Sequence, residues 1–392
     1  MRRINLRAAS LAVAAMGLVV SAAGCQAAPN GPSGAAAWCD KKIGIFGAFA
    51  GGAVPSLNGA QLRFREWNDA NPNCQLELVE FDSGGSGDNA APWARRFAAD
   101  PDVLGVIGGQ FSRETAATQP IFQEAGIAMI STTATRVDLT QTGFSVFHRV
   151  NGHDGTVGAA IGTYLEAQSD VRAFVIDDGT AYGAGLADEL VNVLGSDVPF
   201  ERDRVHADVK GWQKHLTDEQ QTQFDATAAK VMAYNTTHVF YAGYVLEGAP
   251  LFRQIRAAGS TAQLVGADGL YDTMLYDLTE GAAEGAIVAC SCAPATEAGG
   301  AFAADFEAEF GTTAGSYAAE AYDAATIFIT AVTGGAVTRE AVLAAVDATD
   351  FDGVSKHIKF DSHGDVDPNT VEIWAYEVTA NGLEPIGAMA VS

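Results

Sequence analysis

The chain has 392 residues, with 48 acidic side chains against 23 lysines and arginines, a formal charge of −25. An acid excess of this size repels nucleic acid and anionic lipid, so neither is expected as a partner, and it says little about fold. The length is too great for one hydrophobic core and suits two domains.

Residues 1–24 read as an export signal: Arg2, Arg3 and Arg7 precede an apolar stretch over 8–20 and then small residues. That stretch is too short and too rich in alanine for a lasting membrane span. Ser21-Ala22-Ala23-Gly24-Cys25 resembles a bacterial lipobox, in which the cysteine is lipidated and becomes the first mature residue, although Ala22 stands where Leu is usual. Cleavage there removes three arginines and leaves 368 residues at −28. Residues 25–40, with Pro29, Gly31, Pro32, Ser33 and Gly34, have almost nothing to bury and are expected to form a flexible tether. The expected location is therefore outside the cytoplasm, in the periplasm or on the outer face of the cytoplasmic membrane, held only through lipidated Cys25.

From Ile43 onward apolar strands alternate with helical patterns, the signature of parallel sheets covered by helices, so the fold class is α/β. A strand over 43–48 turns at Gly51 and Gly52 into a helix whose Ala60, Phe64 and Trp67 share one face, a core stripe. A strand over 76–81 and a helix over 92–98 follow. The strand 103–107 breaks at Gly108-Gly109 and releases Gln110, Phe111 and Ser112 before a helix over 114–124. The strand 127–130 then releases Ser131, Thr132, Thr133 and Thr135. In open parallel sheets ligands gather beyond the carboxyl ends of the strands, where helix N-termini favour an anion, and a carboxylate is the natural guest. Ordinary turn and cap chemistry gives the same residues at the same places.

A second series runs through a helix over 157–165, a strand over 173–176, a helix over 186–194 and a less regular section. The polar stretch 212–223 reads as an exposed helix or inserted loop; a strand over 238–241, a helix over 249–257 and a strand over 264–266 lead to Ala267-Asp268-Gly269. Helices follow over 301–310, 317–332 and 340–346, and a hairpin closes the chain with strands at 371–378 and 385–391 and a turn at Asn381-Gly382. Two doubly wound domains facing one cleft account for the recurrence.

Besides Cys25, four cysteines allow three pairings. Cys39 and Cys74 each precede a strand, and if those strands are neighbours a spacing of about 4.8 Å fits a disulfide. Cys290 and Cys292 are then left to each other, about 6.6 Å apart in extended chain and near the upper limit for a bridge. Half a metal site is the competing reading, but no second cluster has zinc-like spacing. No metal and no cofactor is expected. An exported enzyme finds little support: Gly-x-Ser-x-Gly, His-Glu-x-x-His and Walker patterns do not occur, and His148 and His153 stand five apart with no evident third ligand.

Several segments stand out in order and spacing: Gly108-Gly109 with Ser112, Thr118-Gln119-Pro120, Gly126-Ile127 with Met129-Ile130 through Thr135, Ala181-Tyr182-Gly183, residues 240–244, Arg256-Ala257-Ala258-Gly259, and Lys359-Phe360-Asp361 with Gly364-Asp365. Taken together, they resemble the type I periplasmic solute-binding proteins, specifically the branched-chain amino acid group that serves ABC transporters. The similarity runs from about Ile43 to the last strands. It implies two doubly wound parallel-sheet domains joined by a three-segment hinge, with crossings near Val150, Ser291 and Ser355. Domain one would comprise 41–150 and 292–355, domain two 151–291 and 356–392.

The resemblance also implies a binding site for an amino acid zwitterion. Ser112 and Thr135 would meet its carboxylate, and the backbone carbonyl of Thr133 together with Asp268 its ammonium. Tyr182 and Tyr244 would swing over it from domain two. Leucine-type members carry Glu where this chain has Asp268, so the acid here is one methylene shorter. Gln110 and Phe111 belong to the same loop; the family's Tyr in the loop after the first strand has no clear counterpart here, and Leu57 is only a candidate for it. Arg113 either enters the cleft or faces solvent. The implied protein is a monomeric binder that delivers its solute to a transporter permease. A sensor domain of the same fold, or a binder of an amide or carboxylate, is the alternative.

Overall fold

A computed structural model describes residues 37–49, 51–206 and 216–391. The export signal, Cys25, the tether as far as residue 36 and residues 212–215 of the polar stretch lie outside the described residues. In the first lobe β1 (Lys42–Gly47), α1 (Val54–Ala70), β2 (Glu77–Asp82), α2 (Gly87–Ala99), β3 (Val103–Ile107), α3 (Ser112–Ala125), β4 (Ala128–Ser131) and β5 (Phe147–Arg149) follow one another. The second lobe begins with α4 (Asp154–Glu166), β6 (Ala173–Asp177), α5 (Ala181–Leu194), β7 (Phe200–Arg204) and α6 (Asp218–Ala233). It continues with β8 (His238–Ala242), α7 (Val245–Ala257), β9 (Gln263–Gly266), α8 (Leu275–Leu278) and β10 (Ile287–Cys290).

The chain then returns to the first lobe as α9 (Phe302–Phe310), α10 (Ala318–Thr333), α11 (Arg339–Asp347) and a small hairpin of β11 (Asp350–Asp352) and β12 (His357–Lys359). Helix α10 packs along α1 and over β3, where a Cβ at Gly105 would overlap the Phe328 ring. Finally β13 (Trp374–Thr379) and β14 (Gly382–Ala388) add an antiparallel edge to the second sheet.

The two sheets share one plan. The first is parallel in the order β2-β1-β3-β4-β5, and the parallel part of the second runs β7-β6-β8-β9-β10. In each, the chain reverses its direction of winding between the first and third strands of the unit, opening a crevice at their carboxyl ends. Those crevices lie beyond β1/β3 in one lobe and β6/β8 in the other. The residues explain the strands: β3 is buried throughout as VLGVI, whereas the edge strand β7 reads FERDR and exposes Glu201, Arg202 and Arg204. That charged edge is why the sequence shows only an irregular section there.

The chain passes between the lobes three times, and the passages meet at Gly152. A Cβ there would lie 2.7 Å from Val371 Cγ1 and 3.0 Å from Ser291 Cβ, so a side chain at this position would wedge the crossings apart. A third passage is expected near Ser355, and the contacts beyond that residue run to the first lobe. Lys356 Nζ pairs with Glu320 at 2.8 Å and donates to the Val150 carbonyl at 3.2 Å. The Phe360 ring lies 4.8 Å from that of His148, and Asp365 bridges to Arg149 of β5. The segment through Asp365 thus stays with the first lobe, tied there by ion pairs that no apolar pattern announces.

The closing hairpin pairs Thr379 with Gly382, so Ala380 and Asn381 form the turn, one residue earlier than expected. Disulfides join Cys39 to Cys74, beside the paired starts of β1 and β2, and Cys290 to Cys292 at the end of β10, with Cα separations of 4.7 and 5.1 Å.

Candidate functional site

Strand β3 ends abruptly because Gly108 takes φ 131° and a Cβ there would stand 2.7 Å from the Phe46 carbonyl oxygen, a place for glycine alone. Hydroxyls of Ser131 and Thr115 donate to the Gly109 carbonyl at 2.8 and 3.1 Å and fix the turn. Gln110, Phe111 and Ser112 emerge beyond it. Ser112 opens α3, and its Oγ accepts the Arg136 N–H at 3.3 Å, which leaves its own proton for a guest. Thr133 Oγ1 donates to the Gln110 carbonyl, tying the β4 end to the β3 end. The Thr135 carbonyl accepts the Asp154 N–H at 2.8 Å.

On the second lobe Asp178 ties the ends of β6 and β8 together. It accepts from Thr180 N at 2.8 Å, Thr180 Oγ1 at 2.6 Å and Tyr244 N at 3.2 Å. The Thr180 hydroxyl in turn caps α5 by accepting from Gly183 N at 3.0 Å. Tyr182 therefore sits in the first turn of α5 and Tyr244 just before α7, with ring centroids 5.0 Å apart. Tyr182 Oη donates to Asp268 Oδ1 at 2.7 Å, and Tyr317 Oη to Asp268 Oδ2 at 3.0 Å.

The lobes are shut on one another. Phe111 meets Tyr244 edge-on at 5.3 Å, and the Arg113 guanidinium lies 5.6 Å from the Phe111 ring and 5.8 Å from that of Tyr244. Arg113 is exposed, the solvent-facing one of its two expected placements, and lies at the cleft mouth with Nε donating to the Gly85 carbonyl. The expected site residues thus come together around one cleft: Gln110, Phe111, Ser112, Thr133 and Thr135 from the first lobe, Tyr182, Tyr244 and Asp268 from the second. Leu57 packs at the edge of the core.

Three further residues carry the site's electrostatics, and the sequence reading missed them. Asp154, 1% exposed at the start of α4, has no well-formed hydrogen bond to either side-chain oxygen. Burial and the negative charge of Asp268 push its carboxyl up to about 8, while Thr135 and Arg149 offset part of this and Glu189 adds to it. Tyr317 holds φ 60°, uncommon for a residue with a side chain, as its hydroxyl reaches both Asp268 and, at 3.1 Å, Ser291. Arg149, fully buried, donates to the carbonyls of Ala134 and Arg136 at 3.3 and 2.7 Å and so fixes the loop that presents Thr135. Burial also raises the Asp268 carboxyl, against the pull of the Tyr182 and Tyr317 hydroxyls.

The sign of the Asp154 effect follows. A carboxyl raised from 3.8 to about 8 keeps, in the folded state, a proton that the unfolded chain has lost, so its contribution to stability falls as pH rises through that window. Asp154→Asn is expected to flatten the decline, raising Tm of the ligand-free protein by about 4 °C at pH 8 and hardly at all at pH 4. Thermal melts of both proteins at the two pH values check this, and equal shifts at both would contradict it.

Chemically, the cleft sets hydroxyl groups, the N-terminus of α3 and Arg113 on one side, and two acids, Asp154 and Asp268, on another. This suits a small molecule that carries both signs of charge. Among the described residues no group of three or more His, Cys, Asp or Glu side chains is placed to hold a metal ion, and no helix is long and apolar enough to cross a membrane.

A family model described as periplasmic binding protein matches residues 43–382. The leucine-specific-binding protein of Salmonella typhimurium is 30% identical over 256 residues, which make up 64% of this chain and 66% of that protein, just under two thirds of its length. Among solved structures, the branched-chain amino acid transporter substrate-binding protein of Streptococcus pneumoniae in complex with isoleucine superposes with a TM-score of 0.77 at 21% identity, covering 89% of this chain and 99% of that one. A solute-binding protein of an R. palustris ABC transporter in complex with benzoate does so with a TM-score of 0.74 at 16% identity, covering 90% and 97%.

Proposed function

From the premise that this chain belongs to the periplasmic binding protein family, we propose that it captures an amino acid between its lobes and hands it to an ABC transporter. The observation that carries this reading is the arrangement around Asp268: a carboxylate held by two tyrosyl hydroxyls from different parts of the chain, with the unpartnered Asp154 beside it and the Ser112 and Thr135 hydroxyls across the cleft. A zwitterion answers both sides. Its ammonium compensates the buried acids and its carboxylate takes the hydroxyls and the N-terminus of α3.

Closure follows from the same contacts. A ligand shifts a two-state equilibrium only by its different affinity for the two states, and a ligand touching Ser112 and Asp268 together binds only the shut form fully. The ligands named for the Salmonella and Streptococcus relatives support an amino acid. We take the domains to be 41–150 with the return segment through Asp365, and 151–291 with the closing hairpin. Cys25, with its lipobox-like context, would carry the anchor outside the cytoplasmic membrane, and the permease of the transporter would be the partner.

The test is a thermal-shift panel of the twenty amino acids with benzoate and simple amides, on protein freed of ligand by unfolding and refolding with its disulfides intact. A ligand specific for the folded state raises its melting temperature, by RT ln(1 + [L]/Kd) in free energy. A shift with at least one amino acid is expected. Shifts with benzoate or amides alone would overturn the amino acid assignment while leaving a binding protein.

A further inference from the structure

Beyond the groups that answer a zwitterion's two charges lies the rest of the pocket, and its floor is polar. Strand β3 lies between β4 and β1. The crevice beyond the ends of β3 and β4, where Ser112 and Thr133 stand, continues toward the end of β1. The side chain found there is Gln110, 3% exposed, seated against the bare backbone of Gly47 and bordered by Phe49. Its Oε1 is occupied, since Thr132 Oγ1 donates to it at 2.8 Å. Its Nε2, a donor, has no hydrogen-bond partner. The neighbouring hydroxyls are also buried, Ser56 at 1% and Thr132 at 0% exposure, and they touch each other only at 3.5 Å.

A buried amide nitrogen without an acceptor is uncommon in a folded chain, and here it lies beyond β1/β3, where this sheet order places ligands. A branched hydrocarbon seated in that crevice would leave it dry and unpaired. A site built around a polar group rejects an analogue that lacks the matching one far more strongly than a greasy pocket rejects an extra methyl. We propose that the solute's side chain carries an acceptor oxygen that takes the Gln110 amide, placing the substrate among the amide and acidic amino acids and not among leucine, isoleucine and valine. The proposal rests on the zwitterion reading above and extends it to the side chain.

Calorimetric titration of ligand-free protein with L-glutamine, L-asparagine, L-glutamate, L-aspartate, L-leucine, L-isoleucine and L-valine tests it. The tightest acceptor-bearing amino acid is expected to bind at least tenfold more strongly than any branched-chain one. Gln110→Met, nearly the same size, is expected to keep the fold and to lower that ratio at least tenfold, with Gln110→Leu doing the same. A branched-chain amino acid binding tightest to the unaltered protein, or a ratio unchanged in both variants, would overturn the side-chain assignment while leaving the amino acid reading standing. Failure of every amino acid to bind would overturn both.

Discussion

Asp268→Ala is expected to weaken the binding of a free amino acid by at least a hundredfold and to leave the fold intact. Removing one member of a buried, hydrogen-bonded charge pair costs about 3 to 5 kcal/mol, because the partner charge stays desolvated and uncompensated. In the proposed site the partner would be the ligand's ammonium, and two tyrosyl hydroxyls lose their acceptor as well. Asp268→Asn separates the two effects in part: its single amide oxygen can still accept from one of the two tyrosines, and it carries no charge. Its affinity should fall nearly as far as that of the alanine variant, whereas Tyr317→Phe, which keeps the charge, should lose about tenfold. Calorimetry on the three variants measures this, with far-ultraviolet circular dichroism to check the fold. Affinity within a factor of two of the unaltered protein in Asp268→Ala would remove Asp268 from the site.

Arg149→Met is expected to lower both stability and affinity. The guanidinium is fully buried and pairs with Asp365, and it also reaches Thr140 Oγ1 at 3.2 Å besides the carbonyls of Ala134 and Arg136. Methionine fills much of the space but donates nothing, so Asp365 loses its counter-charge and the carbonyls their donor. The expected cost is about 3 to 5 kcal/mol in urea unfolding. The loop from Ala134 to Arg136 would lose its anchor, and with it the placement of Thr135 and the Arg136 N–H that orients Ser112. Amino acid affinity should therefore drop about tenfold although Arg149 itself touches no ligand. A loss under about 1 kcal/mol would show that the loop is held by other contacts.

These two residues mark where the sequence was legible and where it was not. The run from Val103 to Thr135 could be read because each feature is local: an apolar strand, glycines that force a turn, hydroxyl residues released at the strand end. Asp268 and the two tyrosines needed the family resemblance, since an acid or an aromatic after a strand has no pattern of its own. Asp154 was invisible because an acid in the first turn of a helix is ordinary, and only the fold shows that this one is walled in by Thr135 and the start of α5. Tyr317 lies 49 residues from Asp268 in sequence, on a segment that returns from the other lobe. Arg149 and Asp365 are 216 residues apart, and the ion pairs that hold residues 356–365 on the first lobe have no periodicity for a sequence pattern to show. The sheet order, by contrast, follows from the strand-helix alternation that each half displays.

The central claim is that both charges of an amino acid are held at once in the shut cleft. Calorimetric titration of ligand-free protein with the tightest amino acid, its N-acetyl derivative and its carboxamide measures this most directly. Each derivative removes one charge and keeps the side chain. The account predicts that both bind at least a hundredfold more weakly than the free amino acid, the N-acetyl form through Asp268 and Asp154 and the carboxamide through Ser112, Thr135 and the start of α3. Equal affinity for the amino acid and either derivative would contradict it.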